Sequence, residues 1–443
     1  MQSPSSSHEP LAYPFPSGPG LAFDPVYAEL RDRPLARVRL AYGEDAWLAT
    51  RYADVKTVMS DPRFRVARPV SCDRPRMRPP ARVISGLFFL DPPEHTRVRS
   101  LVAKELSARR VERLRDKACR LADELLDRVV EEGSPVDLVK RFARPFAQTM
   151  LCGLLGVPDE DHHRFWNWAE AALSGTATDD ELDTQAEEFL SYVAGLFELR
   201  RREPREDLFT CVVRGREADS RVTEEDMFAL ANDLLVAGLL TVGHQIAGFL
   251  HQLLLHPAEL RRLRARPQLI PTAVEELLRY VPLFNSLPPR YATEDIELGG
   301  ALVRAGEPVL VATAAANRDP AAFSDADALR LDRSGSPHLG LGHGTHYCLG
   351  AHLARMELQV ALETVLRRLP GLRLAIPDEE LHWKTGGMVL GLHALPVAFD
   401  RGTDAPGARA TPDTASHSAS GEQPGAEAGS SCPRHSGSYP PHP

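Results

Sequence analysis

A glycine-rich run, HLGLGHGTHYCLGAHLARMEL from His338 to Leu358, carries the residues best suited to chemistry. Cys348 stands where the glycines give way to an apolar-periodic segment, so it falls at the start of a helix. A thiol there meets free backbone N–H groups and the positive end of the helix dipole, and both favour thiolate. Gly340, Gly342, Gly344 and Gly350 permit sharp turns and a close approach of backbone to a large flat ligand. Two blander readings compete. One is an inert buried cysteine. The other is a zinc site of His343, His346 and Cys348, whose spacing suffices but which shows no obvious fourth ligand. Neither fits the glycine pattern well.

A second candidate is the run LANDLLVAGLLTVGHQIAGFL. It reads as a long helix with Gly238 and Thr241 in its middle, either a plain buried helix or one that offers a hydroxyl to a site. A third is DPPEHTRVRS, which places His95 and Arg99 four residues apart and so on one helix face. The 63–82 segment carries seven arginines, Arg63, Arg65, Arg68, Arg74, Arg76, Arg78 and Arg82, against the single acid Asp73. It is either a solvated basic loop or a gate for an anionic or carbonyl-rich substrate.

Taken together these motifs resemble the cytochrome P-450 family, of the soluble actinobacterial type. The family's haem loop, Gly-x-Gly-x-His-x-Cys-Leu-Gly followed by Leu-Ala-Arg, is matched by Gly342 to Gly350 and then Leu353-Ala354-Arg355. Seven residues before the cysteine the family usually has Phe, and here stands Leu341. The resemblance implies haem b, with its iron held by the Cys348 thiolate, a ligand that favours O–O cleavage. It also implies that His95, Arg99, Arg290 and His346 pair the two haem propionates, which are costly to bury unpaired. On the long helix, Ala237, Gly238 and Thr241 match the element across the oxygen side, with Gly238 relaxing the helix to make room for dioxygen and water. The family's usual acid is replaced by Leu240, so protons must come through Thr241 and water, a substrate group or another side chain.

The family also has a structural Glu-x-x-Arg pair. Five such spacings occur here: Glu94/Arg97, Glu112/Arg115, Glu198/Arg201, Glu259/Arg262 and Glu276/Arg279. Spacing alone does not choose among them. The segments that follow Glu276/Arg279, in family order, single it out, with Arg333 as third member of the network. By family position, Val83, Ile84, Leu87, Phe88, Leu240, Leu283, Phe284, Asn285 and Met388 line the substrate pocket.

The elements that must position these groups are mostly helical. Apolar residues at three- and four-residue spacing predict one helix from Val111 to Glu132. Thr223 and Asp226 form a capping box that opens the long helix, which ends near Pro257. Further helices run from about Pro271 to Tyr280 and from Leu349 to Leu369. Strands are expected in ARVRL and AWLATRY, as a hairpin, and late in YATEDIELGG, PVLVATAAA and LPVAF. The expected fold is mainly α with small β-sheets at the two chain ends, the P-450 fold of a helical body and a β-rich lobe. Residues 21–400 form the catalytic domain, 1–20 a flexible arm, and 401–443 a Gly/Ala/Ser/Pro-rich disordered tail.

Composition sets outer limits. The chain of 443 residues is 43% hydrophobic and 26% charged, ordinary for a soluble globular protein. A net charge of −9 argues against a general binder of nucleic acid or anionic membrane. The six cysteines show no short paired spacing, and neither a secretory signal nor a spanning segment is read, so a cytoplasmic setting is expected. The expected activity is a haem-thiolate monooxygenase that hydroxylates or epoxidises a small molecule, a secondary metabolite, using dioxygen and two electrons. Those electrons come from NAD(P)H through a ferredoxin and its reductase, to a monomer. The alternatives are oxidative coupling or ring closure without oxygen insertion, for example on a cyclic dipeptide, and a non-enzymatic haem-thiolate sensor or ligand carrier.

Overall fold

The computed structural model describes residues 9–15, 24–33, 35–67, 73–77, 86–173, 178–335, 337–384 and 389–400. Val83, Ile84, Met388, Arg68, Arg78, Arg82 and the 401–443 tail lie outside the described residues.

The capping box forms as the sequence predicts. Thr223 Oγ1 accepts from the Asp226 N–H at 3.0 Å, and Asp226 accepts from the Thr223 N–H at 2.8 Å. From it the long helix runs unbroken over Glu224–Leu255. By length and composition this helix could cross a membrane, which the shorter run from Leu234 to Gly243 does not reveal, but 78% of its most apolar stretch is buried inside the protein. It is a core helix, apolar on nearly every side because neighbours cover every side. Helices Arg144–Leu155, His162–Leu173 and Ala351–Arg368 pack against it, and Arg115–Glu132 and Ile270–Tyr280 pack in turn on Ala351–Arg368. Their inward residues join its Leu234, Leu235, Leu239 and Leu240 in one large core cluster.

The expected single helix from Val111 is instead two, Ala108–Glu112 and Arg115–Glu132. The Leu114 N–H bonds back to the Val111 carbonyl at 2.8 Å, a three-residue turn that interrupts the four-residue ladder.

The hairpin expected near residue 42 is present, with Ala36–Arg39 antiparallel to Ala46–Ala49 and Val38 opposite Ala46. The two chain ends do not carry separate sheets, however. Ala46–Ala49 pairs in parallel with Pro308–Val311, Leu48 opposite Leu310, and Pro308–Val311 pairs antiparallel with Leu287–Ala292. The result is one six-stranded sheet, edged by Leu11–Ala12 and Phe64–Arg65. A separate three-stranded sheet joins Arg373–Leu374, Pro396–Ala398 and Val136–Asp137. Residues 9–15 of the expected flexible arm are docked. Leu11–Ala12 pairs with the hairpin, and Tyr13 and Phe15 are buried in edge-to-face contact, Phe15 also against Tyr27. Burying two rings offsets the ordering cost of so short a segment.

Candidate functional site

The cysteine loop is held by its main chain. The Cys348 N–H donates to the Leu341 carbonyl at 2.9 Å, which closes the loop on itself. Gly342 and Gly344 have φ of 80° and 66°, the left-handed region that favours glycine. At Gly344 space is short as well, since a Cβ would lie 2.5 Å from the Met59 carbonyl oxygen. At Gly350 the reverse holds, and a Cβ would meet nothing within 4 Å. The loop therefore presses on the Tyr52–Ser60 helix on one side and borders open space at Gly350.

Cys348 is half-buried and unbonded to other cysteines. Its thiol is pushed up by burial, against the Gly350 N–H and the charges of Arg99 and Arg355, which pull it down. The expectation of a lowered pKa is corrected in that respect. The helix N-terminus and two guanidiniums favour thiolate, but desolvation outweighs them in the protein alone.

Four donors converge beside the loop. The rings of His95 and His346 lie 4.3 Å apart, centre to centre. His95 Nδ1 and His346 Nε2 are buried without a hydrogen-bond partner. Burial, then Arg290, His95 and Arg99, push the His346 pKa down to about 3. Burial also depresses Arg290, to about 10, and its one favourable charge is Asp91. Arg99 donates to the Tyr347 carbonyl at 2.7 Å, so it braces the cysteine loop directly.

Buried donors without acceptors are costly unless a partner arrives. Two neutral imidazoles and two guanidiniums suit a ligand bearing two carboxylates. With Cys348 and the open space at Gly350, the cluster fits haem. The zinc reading does not fare so well: no group of three or more His, Cys, Asp or Glu among the described residues could hold a metal ion.

Above the loop, the long helix presents Val236, Ala237, Gly238 and Thr241 as partly accessible residues. Thr241 Oγ1 donates to the Ala237 carbonyl at 2.5 Å, leaving its lone pairs to accept from water or substrate. Gly238 acts differently from the expectation. The helix neither breaks nor widens there, and a Cβ would sit 2.9 Å from the side chain of Leu151. Gly238 permits close packing of two helices. Leu240 is corrected too: at 2% exposure it belongs to the core and not to the accessible face. Of the remaining pocket residues, Leu87 is buried, Phe88 is exposed, and Leu283, Phe284 and Asn285 are half-buried.

The ion network lies behind the loop. Glu276 and Arg279 bond twice, at 2.7 and 2.8 Å, with both side chains about 1% exposed. Arg333 Nε reaches the same carboxylate at 2.9 Å. Arg279 Nη1 also donates to the Asn317 and Ala326 carbonyls, so every face of the pair is satisfied. The spacings at Glu112, Glu198 and Glu259 also form pairs, but none is buried on both sides.

A second network escaped sequence reasoning. Glu275, next to Glu276, takes two bonds from Arg355 at 2.7 and 2.8 Å and one contact from His338 at 3.0 Å. Burial raises its carboxyl, but His338 and Arg355 outweigh this and hold it at about 2. Arg355 Nη1 donates onward to the Tyr347 hydroxyl at 2.8 Å. Arg355 and His338 bracket the cysteine loop in sequence, which was the available signal.

Comparison with known proteins agrees with this geometry. A family profile described as cytochrome P-450 matches residues 176–372. The chain is 48% identical over 397 residues to the mycinamicin IV hydroxylase/epoxidase of Micromonospora griseorubida, covering 89% of this chain and all of that one. The chain belongs to the cytochrome P-450 family. To the nocardicin C N-oxygenase of Nocardia uniformis subsp. tsuyamanensis this P-450 is 44% identical, covering 88% of this chain and 98% of that one. A crystal structure of HinD with NMFT and NO superimposes with a TM-score of 0.85 at 46% identity, covering 89% of this chain and all of HinD. The protein is a cytochrome P-450 monooxygenase, and the family implies haem as its cofactor.

Proposed function

We propose that this P-450 hydroxylates or epoxidises a small organic molecule, as a tailoring step in secondary metabolism. The mycinamicin IV hydroxylase/epoxidase, similar over its whole length, is the observation that carries this reading. Haem held by Cys348 supplies dioxygen activation with two electrons, favoured by thiolate donation. His95, Arg290 and His346 hold the propionates; Arg99 joins them and steadies the loop. Thr241 Oγ accepts and passes protons on the accessible helix face. The apolar residues Leu87, Leu283 and Phe284 exclude water from the substrate. We also infer a cytoplasmic monomer, fed from NAD(P)H by a ferredoxin and its reductase; the free Cys119, Cys152, Cys211 and Cys348 suit a reducing compartment.

One observation favours a second reading, coupling without oxygen insertion. Leu240 offers no proton, and His244, one turn beyond Thr241, is held neutral by burial, with its pKa down to about 4. Asp233, two turns before it, is engaged elsewhere. Proton delivery then depends on Thr241 and on water or a substrate group. General acid catalysis is worth about 10²–10⁴-fold, so its loss should be visible. The test is labelled-dioxygen mass spectrometry on wild type and Thr241→Ala with one turned-over substrate. Label in the product supports hydroxylation or epoxidation; an oxidised product without label supports coupling. A ratio of product to peroxide unmoved by Thr241→Ala would show that the Thr241 hydroxyl is not the relay.

A further inference from the structure

The 86–89 turn, which family position assigns to the substrate pocket, is fastened by one carboxylate from the long helix. Asp233 is 7% exposed and accepts from the Leu87 N–H at 2.5 Å and from the Phe88 N–H. Gly86 makes this possible, because a Cβ there would collide with the Asp233 carboxylate. Leu87 is buried in the same core cluster as Leu234 and Leu235, whereas Phe88 stands 44% exposed. Main chain and Leu87 thus hold the turn, and Phe88 is the ring it displays. A carboxylate buried this deeply usually faces a cation. Here two amides face it, and no charged side chain among the described residues adds to them.

We propose that Asp233 is a positioning residue that fixes the 86–89 turn and thereby sets how Phe88 meets the apolar part of a substrate. Its effect on substrate rests on the monooxygenase reading; its hold on the turn does not. The clamp has two strengths. The ionised carboxylate accepts from both amides, and bonds to a charged acceptor are the stronger kind. The protonated carboxyl keeps one good acceptor. Burial outweighs the two amides and raises Asp233 to about 7, so the seated turn holds the proton more tightly than a hydrated carboxyl would, and the clamp weakens as pH rises through neutrality.

The experiment is hydrogen exchange of the holoenzyme at the Leu87 and Phe88 amides from pH 6 to 8.5, corrected for intrinsic exchange. It uses wild type, Asp233→Asn and Asp233→Ala. Wild-type protection should fall about tenfold over this range, that of Asp233→Asn should stay flat, and Asp233→Ala should lose protection. The dissociation constant of 4-phenylimidazole, read from the haem spectrum and corrected for the ligand's own protonation, should rise several-fold from pH 6 to 8.5 in wild type but not in Asp233→Asn, while haem content holds. If Asp233→Ala does not fold, the isosteric Asp233→Asn still reports. Wild-type protection that ignores pH, or that Asp233→Asn reproduces, would overturn the clamp. Normal exchange behaviour with unchanged 4-phenylimidazole binding would overturn the link to Phe88. Failure of the monooxygenase reading would appear separately, as an absent thiolate spectrum.

Discussion

His95 and His346 are unlike ordinary core histidines, since each keeps a buried ring nitrogen without an acceptor while Arg290 and Arg99 stand close by. Burial and the guanidiniums hold both imidazoles neutral, and the cluster is completed when an anion arrives. Removing Arg290 should remove the cost of its burial in the haem-free chain yet leave a propionate underpaired in the loaded one. Breaking a buried pair costs about 3–5 kcal/mol, which corresponds to at least a hundredfold faster haem loss. Transfer of haem from Arg290→Ala to an apo-globin acceptor measures this, and an unchanged rate would remove Arg290 from the site. Arg99→Ala should act partly through the loop, because Arg99 bonds the Tyr347 carbonyl. Cys348→Ser should abolish the red-shifted Soret band of the reduced carbon monoxide complex; a band retained in Cys348→Ala would mean another ligand.

The Ile270–Tyr280 helix sends two neighbouring carboxylates to two networks. The Glu276 network was legible because Glu276/Arg279 is a local spacing and the segments after it run in family order. The Glu275 network was not, because its partners Arg355 and His338 lie 80 and 63 residues away. Local patterns report i, i+3 and i, i+4 neighbours, whereas folding decides which distant side chains meet. The same limit applies to Gly238 and Leu240, whose roles depend on whether Leu151 or the open pocket faces them. The cysteine loop is the opposite case, since its glycines encode backbone geometry directly. Gly344→Ala should therefore cost more than a surface substitution: about 1–2 kcal/mol for the left-handed backbone, plus displacement of the Met59 carbonyl. A lowered melting temperature together with weakened haem retention is the expected result. A variant as stable as wild type would show that the loop shifts freely.

At the scale of the whole molecule, the helical body was legible from capping residues and apolar periodicity. The joining of early and late strands into one sheet was not, because no local signal says that Leu48 will lie opposite Leu310. The same body makes stability depend on pH in a way that only burial reveals. Glu357, on the Ala351–Arg368 helix, is 2% exposed with Oε1 unpartnered, and desolvation raises its pKa to about 8. A carboxyl raised in the folded state is protonated there while the unfolded chain has already lost its proton. Folding stability is then highest below the unfolded pKa, near 4.5, and falls as pH rises through about 8. Asp233 acts in the same direction, but its change is largely complete near pH 7, so the interval from pH 7 to 8.5 isolates Glu357. The total contribution is on the order of a few kcal/mol, at roughly 1–2 °C of melting temperature per kcal/mol for a chain of this size. Glu357→Gln cannot ionise and keeps the volume, so its melting temperature should fall less than that of wild type over that interval. The check is calorimetry of both holoenzymes at pH 6, 7, 8 and 8.5. Parallel curves would mean that Glu357 has a polar partner in solution and that its proton is not held by burial.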